Sequence, residues 1–188
     1  MSKKMKAPFL QGKIIYLTGM ERSDLELLKK WINNEKVTYL LETGDFPPTI
    51  DRLKKQYDRE INEKNDVSFI VRFKKNDKPI GWGGLYDIRW IKHSCELRFF
   101  IGEPKYWIVS AALDGMSLLI KYGFEKLNMN KIQAGANAEN PRSWKMLERL
   151  GFVSEGTFRD GVFRNGKYYD THMYSMLRME YDKLYSNE

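Results

Sequence analysis

The apolar positions of the chain fall into two rhythms. Short runs of β-branched, aromatic and aliphatic residues bounded by turn formers read as strands, and they cover residues 13–17, 67–73, 80–88 and 97–101. Asn76, Asp77, Lys78 and Pro79 form a hairpin turn between the second and third of these, and Gly81, Gly83 and Gly84 mark a close backbone approach or a bulge. Apolar residues at three- and four-residue spacing read as helices with one buried stripe. Such stripes are Leu25, Leu28 and Trp31 after a start at Ser23 or Asp24, and Leu53, Tyr57 and Ile61 within residues 50–63. Leu113, Met116, Leu119, Ile120, Phe124 and Leu127 make another, with Ser110 placed to cap its first-turn amides.

A strand over residues 131–136 then leads to Asn140 as N-cap and Pro141 at the first helical position. That helix turns Trp144, Leu147 and Leu150 inward and stops at Gly151, the left-handed cap. Strands around 156–164 and 167–177 flank the hairpin Arg164-Asn165-Gly166-Lys167. Residues 33–35 break the first helix, residues 37–41 fit either a strand-like piece or a short helix, and residues 44–48 (GDFPP) make a rigid turn. Strands joined by short turns, followed by strand–helix–strand, define an α+β fold with a mixed central sheet flanked by helices.

Length adds a domain count. The 188 residues suit one domain, expected over residues 11–188 behind a flexible tail of residues 1–10. Aromatic content of 14% belongs to a globular chain. A single cysteine, Cys95, excludes an internal disulfide and falls in a strand, where a buried thiol is expected. No apolar run is long enough for a membrane helix, and the basic opening lacks a signal-type apolar segment. These features give an expectation of a cytoplasmic protein with no membrane partner. The net charge of +7 is spread along the chain beside Glu and Asp, so it reads as a solvated surface that favours an anionic ligand and not as a nucleic-acid footprint. His93 and His172 are too few and too far apart for a metal motif.

Several motifs carry a resemblance. CELRFFIG with Glu96, Tyr106–Trp107 before the long helix, NAENPRSWKMLERLGF, SEGTFRDGVFRNGKYYD and GMERSDLELLKKWINNEKV together resemble the GNAT N-acetyltransferases. Within them the chain is most similar to the branch of ribosomal-protein N-terminal acetyltransferases (RimJ/RimL-like). The resemblance implies a three-layer GNAT-like fold, acetyl-CoA as cosubstrate, a primary amine as acceptor, no metal, and a monomer or homodimer. The acceptors of that branch range over protein N-termini, amino sugars and polyamines.

Residue roles follow from the same resemblance. Glu96 stands where related enzymes place a general base, with an ion pair to Arg98 on the same strand face as the structural alternative. Backbone near Phe100 and Ile101 would hold the thioester carbonyl. Amides of Val109, Ser110, Ala111, Ala112 and Leu113 would hold the pyrophosphate at a helix start. Asn140 would contact the pantetheine arm and Ser143 the sulfur, beside their plain reading as helix caps. Leu147 occupies the position of the tyrosine acid found in many relatives. Trp31, Asn33, Glu42, Tyr86, Trp90 and Tyr169 are candidates for the acceptor cleft. The phosphate loop lacks the usual glycines: β-branched Ile108 and Val109 resist positive φ. This leaves an alternative, a catalytically weakened binding or regulatory module on the same fold.

Overall fold

Turn chemistry fixes how the strands fold back. A computed structural model describes residues 6–39, 41 and 46–185. Asn165 and Gly166 both take positive φ (50° and 78°), the pair that a two-residue hairpin needs to match strand twist, and join β7 (Val153–Arg164) to β8 (Lys167–Leu177). Asp77 (φ 57°) closes the turn between β3 (Val67–Phe73) and β4 (Lys78–Arg89). With β1 (Leu10–Gln11), β2 (Ile15–Gly19), β5 (Ser94–Ile101) and β6 (Lys131–Asn137) they form an eight-stranded sheet in the order β1-β2-β3-β4-β5-β6-β8-β7. Every neighbouring pair is antiparallel except β5 and β6.

The sheet separates two apolar cores. On one face α4 (Val109–Lys121), α5 (Pro141–Arg149) and α6 (Arg178–Tyr185) bury Ala111, Met116, Leu119, Ile120, Leu147 and Tyr181 against Leu97, Ile101, Ile132 and Met176. On the other, α1 (Leu25–Ile32) and α3 (Ile50–Glu63) enclose Leu25, Leu28, Trp31 and Leu53 against Trp82 and Phe100. The short helix α2 (Glu35–Thr38) follows α1 and settles the ambiguous stretch at 37–41 as helical up to Thr38. At Gly84 a Cβ would collide with the Val67 carbonyl oxygen of the neighbouring strand, which is the close approach expected there.

Two local expectations are corrected, at the start of α4 and at Ile61. Helix α4 starts two residues early: Ile108, extended at φ −106°, is its N-cap, and Ser110 lies inside the first turn. Ile61 is 55% exposed because the last turns of α3 leave the core. Phe9 stacks on Phe69 and meets Tyr122 edge-on, while Leu10 pairs with Leu17, so these two residues pack on the fold. Helix α6 was not anticipated; its ring stack of Tyr181 on Phe124 and Tyr185 only forms once β8 delivers it to the sheet.

Candidate active site

The site begins where two strands part. β5 and β6 pair in parallel only at Ser94–Lys131, Cys95–Ile132 and Glu96–Gln133. Beyond Glu96 the strands diverge, so residues 97–101 keep their antiparallel partner β4 but lose a partner on the other edge. The opening is a cleft of about 470 Å³ walled by Leu97, Phe99, Phe100 and Ile101 of β5 and by Ala134 and Gly135 of β6. Trp107, Ile108, Val109, Ala112 and Met116 of the α4 start form a third wall, and Asn140, Arg142, Ser143, Met146 and Leu147 of α5 a fourth. Lys36, Val37, Tyr39 and Leu41 close it from the α1–α2 side.

Helix geometry explains the two polar walls. The Ile108 carbonyl accepts from Ala111 N (3.0 Å) and Ala112 N (3.2 Å), which leaves Val109 and Ser110 as the free amide donors of the first turn. The helix dipole adds partial positive charge there, and no residue of the loop has positive φ among the described residues. Ile108 and Val109 therefore sit without backbone strain. The path of the loop does not require a glycine for positive φ. Trp107 Nε1 donates to the Ile101 carbonyl (2.8 Å) and ties this loop to the open edge of β5.

On α5, Asn140 is the N-cap: its Oδ1 accepts from Ser143 N at 3.3 Å. One helical stripe carries Asn140, Ser143 and Leu147 into the cleft. The capping role commits Asn140 Oδ1 and the Ser143 amide, and leaves Asn140 Nδ2 and the Ser143 hydroxyl without a protein partner among the described residues, on two residues that line the cleft. Capping and ligand contact thus use different atoms of the same two residues.

The remaining expected residues are placed elsewhere. Glu96 does not line the cleft; Arg98 grips it in a fork, Nε to Oε1 at 2.9 Å and Nη2 to Oε2 at 2.7 Å, on the sheet face that carries α1 and α3. That hydrogen bonding raises the pKa of Arg98 further. Trp31 is buried in the second core, where its Nε1 donates to Glu103 Oε1 (3.1 Å). Tyr86 is buried too, shares a hydrogen bond with Ser68 Oγ, and burial pushes its phenol well above the usual range. Asn33 returns its amide to the Lys29 carbonyl at the end of α1. Trp90 lies in the β4–β5 turn, at the closed end of the parallel pair and away from the opening. Glu42 lies outside the described residues. Leu113 is half-buried one turn into α4 and does not line the cleft. Cys95 is buried as expected, and burial pushes its thiol up to about 12.

Tyr169 belongs to a second, smaller cavity of about 180 Å³, lined by Tyr39, Asn137, Glu139, Arg164 and Tyr169. Tyr39 is the residue that lines both cavities. Arg164 Nη1 donates to the Thr38 carbonyl, so the β7–β8 hairpin holds the residue next to Tyr39 in place. Sequence reasoning passed over Tyr39, Lys36, Glu139 and Arg142, because nothing in their local pattern distinguishes them from solvated surface. Among the described residues no group of His, Cys, Asp and Glu could hold a metal ion.

An open parallel strand pair, with helix amides at one end and uncommitted side-chain donors along the wall, is built for a long ligand with an anionic end. Comparison with known proteins agrees. Residues 15–153 match the acetyltransferase (GNAT) domain, and the chain belongs to the GNAT acetyltransferase family. It is 31% identical to the uncharacterized N-acetyltransferase p20 of Bacillus licheniformis over 88% of this chain and 93% of that one. It is 32% identical to YdaF of Bacillus subtilis, provisionally named a ribosomal N-acetyltransferase, over 87% and 91%. A crystal structure of spermidine N-acetyltransferase from Vibrio cholerae in complex with CoA and spermine superposes with a TM-score of 0.81 at 27% identity, covering 89% of this chain and 97% of that one.

Proposed function

We propose that the protein transfers the acetyl group of acetyl-CoA directly to a primary amine, with a polyamine as acceptor. The splay of β5 from β6 carries the reading, because it opens a cleft beside the α4 start that a pantetheine arm can thread. The Val109 and Ser110 amides take the pyrophosphate at the start of α4, and Lys36 and Arg142 add positive charge around the same opening. Asn140 Nδ2 serves the pantetheine amides. The open backbone edge at Phe100 and Ile101 faces the thioester carbonyl and stabilises the oxyanion that forms there. Ser143 stands one turn from Leu147 and delivers the proton to the departing sulfur. The polyamine acceptor is supported by the likeness to the Vibrio cholerae enzyme.

A second reading, with a protein N-terminus as acceptor in the manner of the RimJ/RimL-like branch, is favoured by the likeness to YdaF. Thiol release from acetyl-CoA, measured with spermidine and with short peptides of free N-terminus, separates the two. Turnover on spermidine with none on peptides is expected; the reverse outcome selects the second reading. Calorimetric titration with acetyl-CoA tests the donor. Binding in the micromolar range is expected, and no heat at millimolar ligand overturns the proposal.

A further inference from the structure

The cleft holds donors for the phosphates, the arm and the sulfur, yet among the described residues no carboxylate lines it. An amine acceptor arrives as an ammonium and must lose a proton before its nitrogen can attack. Glu96, the base expected from the sequence, is held in the fork of Arg98 and does not line the cleft. The adjoining cavity supplies what is missing. Glu139 is the carboxylate on its wall, in the turn between β6 and α5, two residues beyond Asn137 and directly before Asn140. Asn137 is buried, and its Oδ1 accepts from Glu139 N at 2.9 Å, which fixes the backbone that carries the carboxylate. The Glu139 side chain is exposed and lines this cavity.

The other groups around this cavity suit a cation beside a carboxylate. Tyr39 from the end of α2 and Tyr169 from β8 present phenol rings, on whose faces an alkylammonium is attracted. Arg164 from β7 is the one other charged residue on the cavity wall, and its Nη1 is directed to the Thr38 carbonyl. Lys36 and Arg142 stand on the donor side, beyond Tyr39. Tyr39 lines both cavities, so it stands between the small cavity and the thioester side of the cleft.

We infer that the cavity bounded by Tyr39, Asn137, Glu139, Arg164 and Tyr169 is the entry subsite for a primary alkylammonium acceptor, and that Glu139 takes its proton. The inference deepens the acetyltransferase reading and rests on it. The ammonium gives one proton to the Glu139 carboxylate. The neutral nitrogen attacks the thioester carbon, forming the C–N bond. The adduct collapses with cleavage of C–S, and the sulfur takes a proton through the Ser143 hydroxyl, which regains one from the adduct nitrogen. The products are the amide, free CoA thiol and the proton that Glu139 returns to solvent.

The test compares the full chain with Glu139→Gln and Glu96→Gln, reading thiol release from acetyl-CoA with spermidine across pH 7 to 10 and acetyl-CoA affinity by calorimetry. Glu139→Gln is expected to lower kcat/KM for the amine by about tenfold or more at pH 7.5 with acetyl-CoA affinity unchanged. The loss should shrink as pH approaches the solution pKa of the amine, near that of a lysine side chain at about 10.4, because solvent then supplies the neutral nucleophile. Glu139→Gln with a wild-type rate and pH profile overturns the assignment. So does a Glu96→Gln variant that shows the pH-rescued loss in its stead. A wild-type protein that binds acetyl-CoA but releases no thiol with any amine overturns the transferase reading itself, a different result from either of these.

Discussion

Single residues here carry consequences far from their own position. Asp114 on α4 is a structural carboxylate: Oδ2 accepts from Ile14 N (2.7 Å) and Ile15 N (3.0 Å), and Oδ1 from Lys13 N (3.0 Å). Gly12 keeps the approach open, since a Cβ there would strike the same carboxylate. Asp114→Ala orphans three amides at about 1 kcal/mol each, so a loss of roughly 2–3 kcal/mol is expected in urea unfolding. Glu60 behaves differently. Burial raises its carboxyl above 4.5, against the opposing hydrogen bond from Ser68 Oγ (2.9 Å). The folded protein therefore holds this proton more tightly than the unfolded chain, and stability falls as pH rises from 4.5 through the folded value. Glu60→Gln keeps an acceptor for Ser68 and removes that fall. The melting temperature is expected to match wild type near pH 4 and exceed it by roughly 1–2 °C at pH 8, once solvent screening of this partly exposed group is allowed for. A variant less stable at pH 8 would show that the charge is stabilising. Both residues sit at positions whose type is visible in the sequence and whose partner is not, because each partner lies on another element.

At the scale of elements, the start of α4 separates what sequence rules expect from what the backbone does. Glycine in a phosphate loop is needed where φ is positive or where the chain must pass close to the ligand. Here Ile108 is extended and Val109 is helical. Val109→Gly with Ser110→Gly should therefore not improve acetyl-CoA binding. It should cost about 1 kcal/mol of stability through the lost helix preference, read as a lower urea midpoint with KM for acetyl-CoA unchanged or raised. A fall in KM of several-fold would show that the side chains, and not the backbone path, obstruct the site. Helix α5 was legible to the residue, from Asn140 at the cap to Gly151 at φ 92°. Capping and termination are local chemistry. The start of α4 was misplaced because Ser110, a good cap by type, is outcompeted by the turn at Pro104–Tyr106 that fixes where the chain enters the helix.

For the whole molecule, the cleft is a gap that folding leaves between two strands, and a donor that fills it binds the folded chain alone. Acetyl-CoA at a hundred times its Kd should stabilise the protein by about 2.7 kcal/mol. A thermal shift of several degrees is expected, smaller at high salt because phosphate contacts are screened. An unchanged melting point with saturating ligand would show that the donor does not occupy the folded cleft. Stabilisation by this route does not depend on which amine is acetylated, so it reports on the donor half of the site by itself.

By itself the sequence determined the hairpins, the α+β class, the strand and helix order around residues 94–151 and the family to which those motifs belong. These depend on hydrophobic period, caps and turn residues, all local in the chain. The tertiary structure decided which of the candidate residues meet. Glu96 and Leu97 are neighbours in β5, yet Leu97 lines the cleft while Glu96, on the opposite strand face, is tied to Arg98, because alternate strand residues point to opposite faces. Where β5 leaves β6 settles where the cleft opens, and that divergence is set by β4 and α4 holding one strand while β8 and α5 hold the other. Tyr39 and Glu139, a hundred residues apart, come to one cavity only through those long-range pairings. No periodicity in either segment records it.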